Sequence, residues 1–123
     1  MPSPLNLRSQ PHLPTSRDPL RPYGEALDLV ELLGFAPTAI YHEQLPPNHA
    51  ASVRHAHTQR QEALLLLSGN MEAEIAGTVW PLVPDDLLRF PVGFPHQVRN
   101  TGKIGATYLV FADDPEEDEV LPG

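Results

Sequence analysis

The chain has no cysteine. That removes a disulfide framework and any thiolate metal site, so a metal here must be held by nitrogen and oxygen. Long apolar runs are also missing: none approaches the roughly 20 residues that span a bilayer. The start, Met1-Pro2-Ser3-Pro4-Leu5, has neither the basic nor the apolar stretch of a secretory leader. The expectation is a cytoplasmic protein with no membrane partner. Basic residues are few, 8 Lys and Arg against 16 Asp and Glu, and the net charge is −8. So acidic a chain is a poor match for phosphate backbones, and no nucleic-acid partner is expected.

What remains fits one domain with one core, at 123 residues. Six of the 15 prolines fall in residues 1–23, at Pro2, Pro4, Pro11, Pro14, Pro19 and Pro22. With little apolar periodicity beside them, residues 1–23 read as an extended Pro-rich arm. Residues 24–112 read as the folded domain. Residues 113–123, with Asp113, Asp114, Glu116, Glu117, Asp118 and Glu119, read as a solvated acidic tail. Trimming that tail is expected to leave the melting temperature nearly unchanged.

The pattern in the middle is all β. Glu25 to Leu33 is open to two readings. Ala26, Leu29, Val30 and Leu33 share a helical face that Gly34 would end, and the same residues suit an edge strand. From Thr38 the strands are short: Thr38–Gln44, Ala51–His57, Glu62–Leu67, Met71–Ala76, Val79–Val83, Leu87–Phe90, His96–Asn100 and Ala106–Phe111. Turn formers separate them, notably Pro46-Pro47-Asn48, Ser68-Gly69-Asn70, Gly77 and Pro84-Asp85. Strands recurring at about eight residues indicate a sandwich or jelly-roll barrel.

Two stretches carry the chemistry. His55-Ala56-His57 is followed by Glu62 and then Gly69. Pro91-Val92-Gly93-Phe94-Pro95-His96-Gln97-Val98-Arg99-Asn100 supplies a third imidazole. Residues two apart in a strand share a face, so His55 and His57 point together with Val53. Glu62 and His96 each open a strand, with Leu64, Leu66 and Val98 following on their faces. A lone His in a strand is usually structural. Three with one carboxylate form a ligand set for a divalent transition metal such as Fe, Mn, Ni, Cu or Zn, with positions left open. His12 and His49 sit in the arm and in a Pro-Asn turn and read as surface residues; the direction of His42 is open.

These stretches resemble the paired motifs of the cupin superfamily, HxHx4Ex6G and PxGxxHxxxN. All eight marked positions agree: His55, His57, Glu62, Gly69, Pro91, Gly93, His96 and Asn100. The resemblance spans about residues 38–112 and is similar to small single-domain bacterial cupins of the conserved-barrel type. It implies an all-β double-stranded β-helix, a jelly-roll barrel holding one metal on His55, His57, Glu62 and His96. For Glu25 to Leu33 it leans toward a strand. One departure stands at Asp85, where the family has Gly before an Asp, here Asp86. Asp tolerates left-handed backbone better than most residues.

The superfamily includes dioxygenases, isomerases, epimerases, decarboxylases, storage proteins and sugar-binding domains, so the resemblance names no reaction. Two functions remain: a metalloenzyme on a small molecule, dioxygenase-, isomerase- or lyase-like, or a non-catalytic cupin whose metal anchors a small ligand. No catalytic residue is assigned beyond the ligands. Candidate pocket residues are Tyr41, Gln59, Gln61, Arg89 and Phe111. Arg89 either faces inward to an anionic group or outward to acidic surface. Ala63, Leu65 and Leu67 alternate with Leu64 and Leu66, so this strand is apolar on both faces. A homodimer covering the outer face is expected.

Overall fold

The computed structural model of the protein describes residues 9–14, 24–29, 39–113, 115 and 117–123. Among them are eleven strands: β1 (Leu13–Pro14), β2 (Glu25–Asp28), β3 (Ala39–Leu45), β4 (His55–His57), β5 (Glu62–Ser68), β6 (Met71–Ile75), β7 (Thr78–Leu82), β8 (Leu87–Phe90), β9 (His96–Arg99), β10 (Ala106–Ala112) and β11 (Val120–Pro122). They form two antiparallel sheets, β1-β2-β3-β10-β5-β8 and β11-β4-β9-β6-β7. The molecule is therefore an all-β jelly roll. Among the described residues no helix is long and apolar enough to cross a membrane.

Alternation along the strands fills the space between the sheets. In β10, Ala106, Tyr108, Val110 and Ala112 are buried, while Thr107, Leu109 and Phe111 between them are only half-buried. In β5, Leu64 and Leu66 are buried, and Leu67 is exposed. Phe90 of β8 in the same sheet, and Met71 and Ala73 of β6 and Val98 of β9 from the facing sheet, join this apolar cluster. Each fully buried Leu contributes on the order of 2 kcal/mol.

The turns do what the residue types require. Gly69 takes φ +88°, and a Cβ there would lie 2.9 Å from the Ala106 Cα. The β6–β7 hairpin turns through Ala76 and Gly77, at φ 48° and 85°, the pair of positive values a tight hairpin needs. Space around Gly77 is open, with nothing within 4 Å. Gly69→Ala is therefore expected to cost about 3 kcal/mol, strain plus clash, against about 1 kcal/mol for Gly77→Ala. Thermal unfolding of the two variants checks the ranking. Asp85 does adopt a left-handed conformation, φ 76°. Its turn is tied to β5, because Asp85 N donates to Leu66 O and Leu66 N to Asp86 O. Asn100, 1% exposed, joins three segments: its Nδ2 donates to Leu45 O and Ile104 O, and its Oδ1 accepts from Gly102 N.

Several expectations change. Residues 51–54 bend instead of extending β4, so the two-residue period does not reach back to Val53, which is 40% exposed. Glu25–Asp28 is a strand on β3; Val30 to Leu33 lie outside the described residues. The arm is joined to the barrel where it is described, with Leu13 opposite Ala26. His12 is half-buried, and its Nε2 lies 2.7 Å from His42 Nδ1. His42 sits on the outer face of β3, the face of Ile40, and is buried there at 4% exposure. The acidic tail is also not simply solvated. Val120, Leu121 and Pro122 pair with His57, Ala56 and His55, because short apolar residues following the acidic run find the open edge of β4.

Candidate metal centre

The four residues HxHx4E and the later His are brought together at one end of the barrel, between the sheets. β4 carries His55 and His57 on one side, and β9 pairs with it so that His96 lies opposite His55. Glu62 comes from the other sheet, at the start of β5 and opposite Phe90. One ligand atom from each of the four lies within 4.8 Å of the others. Two trans ligands at 2.1 Å from an ion are about 4.2 Å apart, so a small closure of the side chains suffices. All three imidazoles are buried at 6% exposure.

The orientation of the rings tests whether the site fits a metal. His55 Nδ1 lies 2.7 Å from Val53 O, and His96 Nδ1 lies 3.4 Å from Phe94 O. His57 Nδ1 lies 2.7 Å from Asp118 Oδ2. Each acceptor takes a proton from Nδ1, which leaves every Nε2 lone pair for the centre. Phe90 stacks on the His96 ring, with centroids 4.5 Å apart and planes at 25°, and fixes its plane. The donor set is three imidazoles and a carboxylate, and it fits a divalent first-row ion with two octahedral positions spare.

His57 Nε2 and Glu62 Oε1 are 2.6 Å apart. Burial is the largest influence on His57 and opposes its charge, but hydrogen bonds and charge from Glu62 and Asp118 together raise its pKa above the usual value. Burial likewise pushes Glu62 upward, yet the His57 bond and the charges of His57, Arg60 and His96 hold its carboxyl down to about 2. His96 goes the other way: burial lowers it to about 4. A metal and a proton compete for the His57 ring, whose pKa is raised. Affinity should therefore fall with pH below the raised His57 pKa, by about tenfold per unit while one proton competes. Metal titrations at pH 8, 7 and 6 read this directly, as do protons released per metal bound.

The pocket candidates separate. Tyr41 is on the inner face of β3, packed against the apolar cluster. Phe111 is on the outer face of β10, alternating with buried Val110 and Ala112. Arg89 is also outward, since Leu88 and Phe90 take the inward positions, and its Nη2 donates to Gln61 Oε1 at 3.1 Å. Gln61 is exposed. Gln59 lines an open cleft with Thr58, Glu117, Asp118 and Glu119. The correction for Arg89, Gln61 and Phe111 is one of strand phase: nearness in sequence to a ligand strand does not fix the face. Two residues were not anticipated. Asp118 lay in a run of acids with nothing to single it out. Arg60, close enough to Glu62 to depress its pKa, has a buried Nε with no hydrogen-bond partner among the described residues.

A barrel of two antiparallel sheets that gathers three histidines and a glutamate defines a class of small jelly rolls with a candidate metal centre. A family model described as a cupin domain matches residues 41–112, and the chain belongs to that family. No curated protein matches the sequence. Solved structures agree on the fold. A sugar phosphate isomerase from a cupin superfamily, of Silicibacter pomeroyi, superposes with a TM-score of 0.84 at 22% identity, covering 98% of this chain and 82% of that one. A protein of Acidithiobacillus ferrooxidans, whose name proposes a sugar phosphate isomerase, gives 0.74 at 24% identity over 79% of this chain. This chain spans 63% of that protein's length. A Thermotoga maritima protein, whose name anticipates an oxalate decarboxylase, gives 0.67 at 20% identity, with 84% and 90% covered.

Proposed function

We propose that this protein is a metal-dependent enzyme acting on a small anionic, oxygen-bearing molecule, as an isomerase or lyase. The observation that carries the reading is the gathering of one ligand atom from each of His55, His57, Glu62 and His96 within 4.8 Å of one another, with each ring's Nδ1 facing an acceptor outside the cluster. A bound divalent ion supplies Lewis acidity, polarising a substrate oxygen. With three neutral imidazoles and one carboxylate, the loaded centre carries one net positive charge, which favours an anion. Arg60, near Glu62 and with a buried Nε unpaired among the described residues, adds a further cationic donor. The names of the neighbours, a sugar phosphate isomerase and an anticipated oxalate decarboxylase, point to anionic oxygenated molecules too. A cytoplasmic setting is part of the proposal.

The test is thermal shift of metal-loaded and metal-free protein against sugar phosphates and small dicarboxylates, followed by NMR of any stabilising compound. The expected result is stabilisation of the loaded form alone by one class, with conversion of that compound. Stabilisation without conversion would instead establish the ligand-binding reading, and oxygen uptake by the iron form would establish a dioxygenase.

A homodimer belongs to the same proposal. The outer face of the six-stranded sheet carries Ile40, Leu65, Leu109 and Phe111 half-buried, beside Leu67 and Leu87 at 38% and 68% exposure. A second copy laid on this face would cover it. Light scattering should give about twice the 13.6 kDa chain mass; the chain mass itself would refute the dimer.

A further inference from the structure

The three metal-site imidazoles are not oriented in the same way. His55 and His96 each turn Nδ1 to the carbonyl two residues upstream, Val53 O and Phe94 O. Those acceptors come with the local chain. His57 has no such local acceptor among its hydrogen bonds. Its Nδ1 is met by Asp118, 61 residues away in sequence.

The segment that delivers Asp118 is firmly held. Asp118 Oδ1 accepts from Gln59 N at 2.9 Å and Arg60 N at 2.8 Å, so one carboxylate oxygen is fixed by backbone and the other faces His57. Thr58 N donates to Glu119 O, and Glu119 N donates to Thr58 Oγ1. β11 then continues the ladder along β4 as far as Pro122 opposite His55. Gly123 N closes it by donating to Arg54 O. The carboxylate is thus placed by Gln59 N and Arg60 N and by the pairing of residues 119–123 along β4, not by its own side-chain freedom.

We propose that Asp118 is a positioning residue of the metal centre, and that residues 117–123 form a strap without which the centre is incomplete. This rests on the metal-binding reading above. The carboxylate holds the proton on His57 Nδ1, sets the ring plane, and increases the donor strength of Nε2. Without it, His57 is free to rotate or to place its proton on Nε2, the atom that must ligate. The acidic segment thereby acts on the ligand, not on bulk solubility.

Asp118→Asn separates this role from simple stapling. An Asn Oδ1 still accepts from Gln59 N and Arg60 N, while its amide presents a donor to His57 Nδ1. Zn2+ and Co2+ affinities are measured by competition with a chromophoric chelator, for the wild type, Asp118→Asn and His57→Ala, with the Co2+ absorption bands recorded. The expected result is binding weakened by about 10–100-fold in Asp118→Asn, with shifted Co2+ bands and a metal-free melting temperature close to wild type. Wild-type affinity and unchanged bands in Asp118→Asn, with binding lost in His57→Ala, would overturn the positioning role alone. No binding by the wild type would overturn the metal reading beneath it. Nitrogen-15 NMR of the metal-loaded wild type gives a check independent of any variant. His57 should be protonated at Nδ1, and a proton at Nε2 would overturn the inference.

Discussion

His96→Ala and His55→Ala are each expected to abolish stoichiometric metal binding while leaving a folded barrel. The apolar cluster around Leu64, Leu66, Met71, Val98 and Tyr108 does not include the ligands, so its stability is largely independent of them. Losing one donor leaves three that are placed for a four-donor set, so a divalent ion is held far more weakly. The effect should exceed the 10–100-fold typical of losing an outer hydrogen-bond partner. His96→Ala also strips the ring that stacks on Phe90 and opens a cavity, for a cost of about 2 kcal/mol. Metal content by elemental analysis and circular dichroism on the same samples separate the two effects. Full occupancy in either variant would remove that residue from the centre.

Removing residues 114–123 should lower the melting temperature by about 10 °C and weaken metal binding together. The deletion takes away β11 and the Asp118 carboxylate. With them go the bonds Thr58 N to Glu119 O, Gly123 N to Arg54 O, and Gln59 N, Arg60 N and His57 Nδ1 to Asp118. At a net contribution of about 0.5 kcal/mol each, the low end for a solvent-accessible bond, these sum to about 2.5 kcal/mol. A domain of this size shifts by about 4 °C per kcal/mol. Differential scanning calorimetry of the shortened chain decides it. An unchanged transition would show that β11 adds nothing to the barrel.

The jelly roll and the clustering of His55, His57, Glu62 and His96 were legible because both rest on short-range rules. Period-two alternation marks Ala106 to Ala112 and Met71 to Ile75. Gly69 and Gly77 mark turns that only certain residues can make. The pair His55 and His57, with Glu62 and His96, is a fixed spacing that strand geometry turns into one cluster. What was not legible is set by long-range pairing. Asp118 is one acid among six in its stretch, and only the register of Val120 on His57 selects it. Arg89 and Phe111 have the right chemistry for a pocket, but each falls on the odd phase of its strand. His12 reads as a solvent residue until its arm is seen beside His42. Val53 failed for a local reason, the bend at 51–54 that breaks the alternation before the first ligand.

His55, His57, Glu62 and His96 are proposed to hold one divalent metal. Elemental analysis of untagged wild-type protein, dialysed and then quantified against protein concentration, addresses it most directly. About one first-row divalent ion per chain is expected, falling below about a tenth of that in His55→Ala. Wild-type protein that carries no metal and takes none up from equimolar Fe2+, Mn2+, Ni2+, Cu2+ or Zn2+ would contradict it.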